Sequence, residues 1–196
     1  MEARSPGERA RRNEGTTEEE HVTQEATIDP GRTAVVIMDF QVGIVGPYAS
    51  NPEQVVERAA SVLAAARGAG IPVYHIVHRG GPFEADSPDV EIHPGVLPIE
   101  GEQVIRKVRA GSFSTTGLDA MLREDGRDTL VLMGVATSGC VLSTLRWGAD
   151  VSYQLVVVKD GCDDGDEEVH RVLTEKVFPR QATVLTAAEF AGRLGG

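Results

Sequence analysis

Cysteine is nearly absent from this chain: Cys140 and Cys162 are the only two. Two thiols give no disulfide framework, so the expected setting is a reducing cytoplasm. Basic charge is short too, with 19 Lys and Arg against 30 Asp and Glu and a formal net charge of −11. That deficit argues against nucleic acid or an anionic membrane surface as the main partner. It leaves room for a small anionic substrate, which responds to the local field of its pocket. No apolar run reaches the ~20 residues of a membrane-spanning helix, and the N-terminus lacks the apolar core of a signal peptide. What remains is an ordinary globular composition, 196 residues with 41% hydrophobic and 25% charged side chains. That length suits one domain with a substantial core.

Residues 1–26 are nearly devoid of large apolar side chains. They cannot bury enough surface to offset their ordering entropy, so the expectation is a disordered or partner-draped arm, with Arg9, Arg11 and Arg12 as a solvated cluster or a docking patch. Residues 27–196 are expected to form a single domain. Within it strands and helices alternate. Thr33–Met38 is a continuous apolar run, as in a parallel strand buried on both faces. Asn51-Pro52-Glu53-Gln54 reads as a capping box opening a helix that stops near Gly68 and Gly70. Further strands are expected at 71–77, around Val104-Ile105, and at 129–133, 154–158 and 183–185. Helices are expected at 117–124, after Cys140, near 167–177 and after Thr186, whose capping box is closed by Glu189. Such a pattern predicts an α/β fold: a three-layer α-β-α, Rossmann-like arrangement around a central, mostly parallel sheet.

In such sheets ligands bind beyond the carboxyl ends of the strands. Three reactive side chains fall there: Asp39 after the first strand, Lys107 after Val104-Ile105-Arg106, and Cys140 after the run ending Gly134-Val135-Ala136-Thr137-Ser138-Gly139. A strand followed by small residues and then an amphipathic run places Cys140 near a helix N-terminus, where backbone N–H groups favour a thiolate and can hold a developing oxyanion. Each residue also has a plain reading: a turn aspartate, a solvent-facing lysine, a small buried thiol. Together they make a nucleophile with its activators.

Three stretches carry a resemblance. Val35-Val36-Ile37-Met38-Asp39-Phe40-Gln41, Lys107-Val108-Arg109-Ala110-Gly111-Ser112-Phe113-Ser114-Thr115-Thr116 and Gly134–Val141 occur in that order. With the fold pattern between them, the chain from Thr33 onward resembles the isochorismatase-like cysteine hydrolase superfamily, which includes nicotinamidases, N-carbamoylsarcosine amidases, ureidoacrylate hydrolases and isochorismatases. The resemblance implies a catalytic triad of Asp39, Lys107 and Cys140, with a non-proline cis peptide at Val135–Ala136 and an oxyanion hole built from the Ala136 and Cys140 N–H groups. It also implies a dimer or tetramer, for which Trp147 on the Cys140 helix is a candidate anchor. Gln41, Arg109 and Phe113 are candidate substrate contacts, and Arg79 or Arg109 is a candidate grip on a carboxylate.

The chain departs from the nicotinamidase metal pattern. His75 and His78 are three apart on a strand, so they face opposite sides and chelate poorly. They are expected in the core or pocket wall, and neither metal nor cofactor is expected. The acidic run Asp163, Asp164, Asp166, Glu167, Glu168 reads as a solvated cluster at a helix start. Cys162 reads as a structural thiol, and His170 as a surface or subunit-contact residue. The expected activity is hydrolysis of a small amide, carbamoyl or ureido compound through a thioester. The alternatives are vinyl-ether hydrolysis of the isochorismatase type, or a non-catalytic binding protein that keeps the fold.

Overall fold

The structure is a computed structural model of the chain and describes residues 28–81, 83 and 87–194. The arm expected over residues 1–26, with its arginine cluster, lies outside the described residues.

Six strands form one sheet: β1 (Thr33–Met38), β2 (Val73–His78), β3 (Gln103–Lys107), β4 (Thr129–Val135), β5 (Gln154–Asp163) and β6 (Thr183–Leu185). Their order is β3-β2-β1-β4-β5-β6, and every pairing is parallel. β1 and β4 are buried along their whole lengths, which explains their unbroken Val, Ile, Leu and Met content. Helices α1 (Val42–Tyr48), α2 (Pro52–Gly68), α3 (Leu118–Glu124), α4 (Leu142–Asp150), α5 (Glu167–Val172) and α6 (Ala187–Leu194) flank it. α2 turns Val55, Val56, Ala59, Val62, Leu63 and Ala66 into the core, the stripe its spacing predicts.

The strand order places a topological switch between β1 and β4. The chain winds outward from β1 through β2 to β3, then returns to lay β4 on the other side of β1. The connections leave β1 and β4 in opposite directions, opening a crevice at their carboxyl ends. Asp39 follows β1 and Cys140 follows β4, so this topology alone brings residues a hundred positions apart into one place.

Several local expectations change. α1 is a helix that sequence periodicity did not announce, and it contains Pro47. The loop at 80–101 holds two single 3-10 turns, at Pro88–Val90 and Pro94–Val96. β5 runs on to Asp163, five residues beyond the expected end. The helix near 167–177 is α5 followed by a π-helical turn over Leu173–Val177. The Asn51–Gln54 capping box is not made: Asn51 caps with no side-chain bond, and its N–H instead donates to Asp163 Oδ2 at 2.7 Å. A buried carboxylate from β5 already occupies that helix entrance. The second box forms, with Thr186 N–H donating to Glu189 Oε2 at 2.7 Å and Glu189 N–H to Thr186 Oγ1 at 3.2 Å.

Candidate active site

Asp39 continues the β1 ladder for one residue, its N–H donating to the Ile76 carbonyl at 2.8 Å. Its φ of 58° then turns the chain through the left-handed region, which aspartate tolerates better than most residues. The turn aims the carboxylate along the crevice rather than back into the sheet. Lys107, the last residue of β3, crosses beneath β2's end to meet it, Nζ to Oδ2 at 2.7 Å. The lysine side chain is 1% exposed and the aspartate side chain 8%. The two remaining ammonium protons reach the Arg109 and Ala110 carbonyls, at 3.1 and 2.9 Å. An ammonium has three donors and all three are engaged, so the Lys107 side chain is held in one place.

Cys140 sits on a π-helical turn, Thr137–Val141, that runs directly into α4. Its Sγ is buried and lies 3.5 Å from the Ala136 carbonyl. The Val135–Ala136 peptide ahead of the turn is cis. Gly134 makes the close approach possible: a Cβ there would stand 3.0 Å from Cys140 Sγ and 2.9 Å from the Met38 carbonyl oxygen. Among the described residues, Asp39 Oδ1 is buried and no nitrogen or oxygen donor reaches it, while the Cys140 thiol lies within interaction range of the carboxylate. One carboxylate oxygen is therefore held by Lys107, and the thiol is the donor left beside the carboxylate.

Residues 33–189 match the family model of the Isochorismatase domain. The chain belongs to the isochorismatase family. It is 32% identical over 182 residues to the isochorismatase family protein YecD of Escherichia coli O157:H7, covering 83% of this chain and 96% of that one. It is 30% identical over 210 residues to the ureidoacrylate amidohydrolase RutB of Methylobacterium radiotolerans, covering 86% and 81%. The solved structure of an isochorismatase family protein from Burkholderia thailandensis superposes with a TM-score of 0.80 at 27% identity, covering 88% of this chain and 100% of that one.

The electrostatics of this family member's crevice add burial to the opposing pulls of Lys107 and Asp39 on the thiol. Burial pushes the Asp39 carboxyl up to about 6, against the pull of Lys107. Burial also raises the Cys140 thiol well above its ordinary value; the Asp39 charge adds to this, and Lys107 only partly opposes it. Desolvation and the neighbouring carboxylate thus push the Cys140 thiol toward its protonated form, against the pull of Lys107. Cys162 is buried and pushed up to about 12, chiefly by burial.

The structure brings Asp39, Lys107 and the Cys140 turn together, and it gives the three expected substrate contacts the following surroundings. Gln41 is fully buried, with its amide nitrogen donating to the His78 and Val90 carbonyls at 3.1 and 3.0 Å and its amide oxygen accepting His78 N–H at 2.5 Å. Every polar atom of that amide faces backbone, so its work is to clamp the 88–93 loop onto the end of β2. Phe113 is 6% exposed and stacks on Tyr153 with ring centroids 5.8 Å apart; it packs α4 against the loop. Arg109 is exposed, and its side chain donates to the neighbouring Val108 carbonyl at 3.3 Å.

The histidines divide. His75 is buried against Glu102 Oε2 at 2.9 Å, while His78 lies edge-on to Phe83 near Lys107. Among the described residues, no group of three His, Cys, Asp or Glu side chains is placed to hold a metal ion. Asp163 and Asp164 are corrected: both are 7% exposed, not solvated. Their roles went unread because an acidic run looks like a helix-start cluster; its position directly after the apolar β5 was the available signal. His170 is half-buried, its Nδ1 2.8 Å from Thr137 Oγ1.

Proposed function

We propose that this chain is a cysteine hydrolase that cleaves the C–N bond of a small amide, carbamoyl or ureido compound through a thioester. One observation carries the reading: a buried Asp39 carboxylate that interacts with the Cys140 thiol and is pinned at Oδ2 by Lys107. Asp39 takes the thiol proton as sulfur attacks the carbonyl carbon, so thiolate forms only as it is consumed. The negative oxygen is received by the Ala136 and Cys140 N–H groups at the start of the helix. Protonated Asp39 returns its proton to the departing nitrogen, and the amine or ammonia leaves a thioester. Water, deprotonated by Asp39, attacks the thioester carbonyl; the acid departs and the thiol is regenerated. Lys107 holds Asp39 in place and stabilises its anion throughout. The ureidoacrylate amidohydrolase among the relatives supports a ureido or amide substrate, and the family as a whole supports hydrolysis.

The test is a panel of small primary amides, carbamoyl and ureido acids, read by ammonia release from wild type and Cys140→Ala. Turnover that falls by several orders of magnitude in the alanine variant is expected. Ammonia release retained by Cys140→Ala would overturn the thioester mechanism; vinyl-ether hydrolysis releases no ammonia and needs no thiol, so turnover of a vinyl ether by both proteins, with none on the amides, would favour that reading. A reactive Cys140 with no turnover across the panel would favour a binding protein instead.

A further inference from the structure

The turn that carries Cys140 is held from outside by Asp164, which is backed by Asp163. Asp164 Oδ2 accepts the Ser138 N–H at 2.8 Å, across 26 residues of chain. Asp164 is itself held on several sides. Its N–H donates to Asp163 Oδ1 at 2.8 Å, and its carbonyl accepts both the N–H and the hydroxyl of Ser50, at 3.1 and 2.7 Å. Asp163 Oδ2 in turn accepts Asn51 N–H at 2.7 Å, tying the end of β5 to the start of α2. A second strut reaches the same turn from α5, His170 Nδ1 to the fully buried Thr137 Oγ1.

The first N–H groups of a helix have no intrahelical partner. Here Ser138 gives its N–H to a carboxylate behind the turn, and Gly139 gives its own to the Ala136 carbonyl at 3.1 Å. Both N–H groups are thereby committed within the fold, and the peptide planes leading up to Cys140 are set. We infer that Asp164 is a positioning residue: it caps Ser138 and so fixes the turn whose Ala136 and Cys140 N–H groups face the reacting carbonyl. This rests on the cysteine-hydrolase reading above. It assigns a reason for two buried acids that touch no reacting atom.

The test compares Asp164→Ala with Asp164→Asn, using the panel amide that wild type hydrolyses best. An error of about 1 Å in a catalytic group costs up to ~100-fold in rate, so the alanine variant is expected to lose 10- to 100-fold in kcat with KM within about twofold. The asparagine variant keeps an oxygen acceptor for Ser138 and is expected within about threefold of wild type. The acid limb of the pH profile should not move in either, because Asp39 and Lys107 are untouched. Wild-type kcat in Asp164→Ala, an asparagine variant as poor as the alanine one, a loss confined to KM, or a displaced acid limb would each overturn the inference. If the alanine variant does not fold, Ser50→Ala carries the test. It removes only the hydroxyl that holds the Asp164 carbonyl; a severalfold lower kcat at constant KM supports the inference, and an unchanged kcat overturns it. Cys140→Ala run alongside separates the two levels: activity there sinks the thioester reading, whereas an inactive Cys140→Ala with a fully active Asp164→Ala sinks only this one.

Discussion

Replacing Lys107 by Met asks what one cation does for the carboxylate beside it. Met has nearly the same length and fills the same channel without charge. In the wild-type protein burial holds the Asp39 carboxyl at about 6 although Lys107 pulls it down. Relative to an ordinary aspartate, ionising it already costs about 3 kcal/mol. Since Asp39 must be ionised to accept the thiol proton, kcat/KM should climb with unit slope up to about pH 6 and then level. At pH 5 about a tenth of the plateau should remain, and an unperturbed carboxylate would instead hold the plateau to about pH 4. Deleting one partner of a buried ion pair costs roughly 3–5 kcal/mol. In Lys107→Met that penalty falls on the Asp39 anion, so the limb should move up by two pH units or more. At pH 7 activity should fall at least about tenfold, with partial recovery near pH 9. The stability consequence has the opposite sense from most carboxylates. Because the folded-state value is raised, the wild-type contribution of Asp39 is complete below about pH 4 and is lost as pH rises through 6. Asp39→Asn should lack that fall in a urea-melt series across pH 4–7. A kcat/KM profile flat from pH 7 to 4.5 in wild type, or a limb that stays in place in Lys107→Met, would refute the reasoning.

Four further outcomes are expected. Gly134→Ala forces a Cβ within 3.0 Å of Cys140 Sγ, so it should cost about 1–3 kcal/mol in a denaturant melt and depress kcat up to ~100-fold; wild-type kinetics would show that the turn yields freely. Thr186→Ala removes the observed cap of α6 and should destabilise the fold by about 1 kcal/mol without changing kcat. Exhaustive dialysis against EDTA should leave activity intact, and loss restored by added zinc would assign a metal to the site. Trp147 is 46% exposed on α4; light scattering should report a dimer or larger at micromolar concentration, and Trp147→Ala should weaken it, whereas a monomeric wild type would remove the interface.

How much was legible beforehand depends on whether a residue's role is local. β1 and β4 announce themselves because a parallel strand buried on both faces must be apolar throughout. The motif stretches that contain Asp39, Lys107 and Cys140 point to a site because strand ends in an open α/β sheet face the crevice. α1 and the short turns of the 80–101 loop are held by contacts with distant backbone, as in the Gln41 clamp on His78 and Val90, and leave no periodic trace.

The sequence by itself determined the fold class and the strand alternation, since these depend on composition and on spacing along the chain, and it offered Asp39, Lys107 and Cys140 as candidates at the strand ends. Only the tertiary structure decided their electrostatic state. Whether a helix terminus and a lysine leave a thiolate, or burial and a neighbouring carboxylate keep the thiol protonated, turns on solvent exclusion and distances that no one-dimensional pattern contains. The same holds for Gln41, Phe113 and Asp164. The partners of a buried amide, a stacked ring and a capping carboxylate are folded in from elsewhere in the chain, so none of them can be read along it.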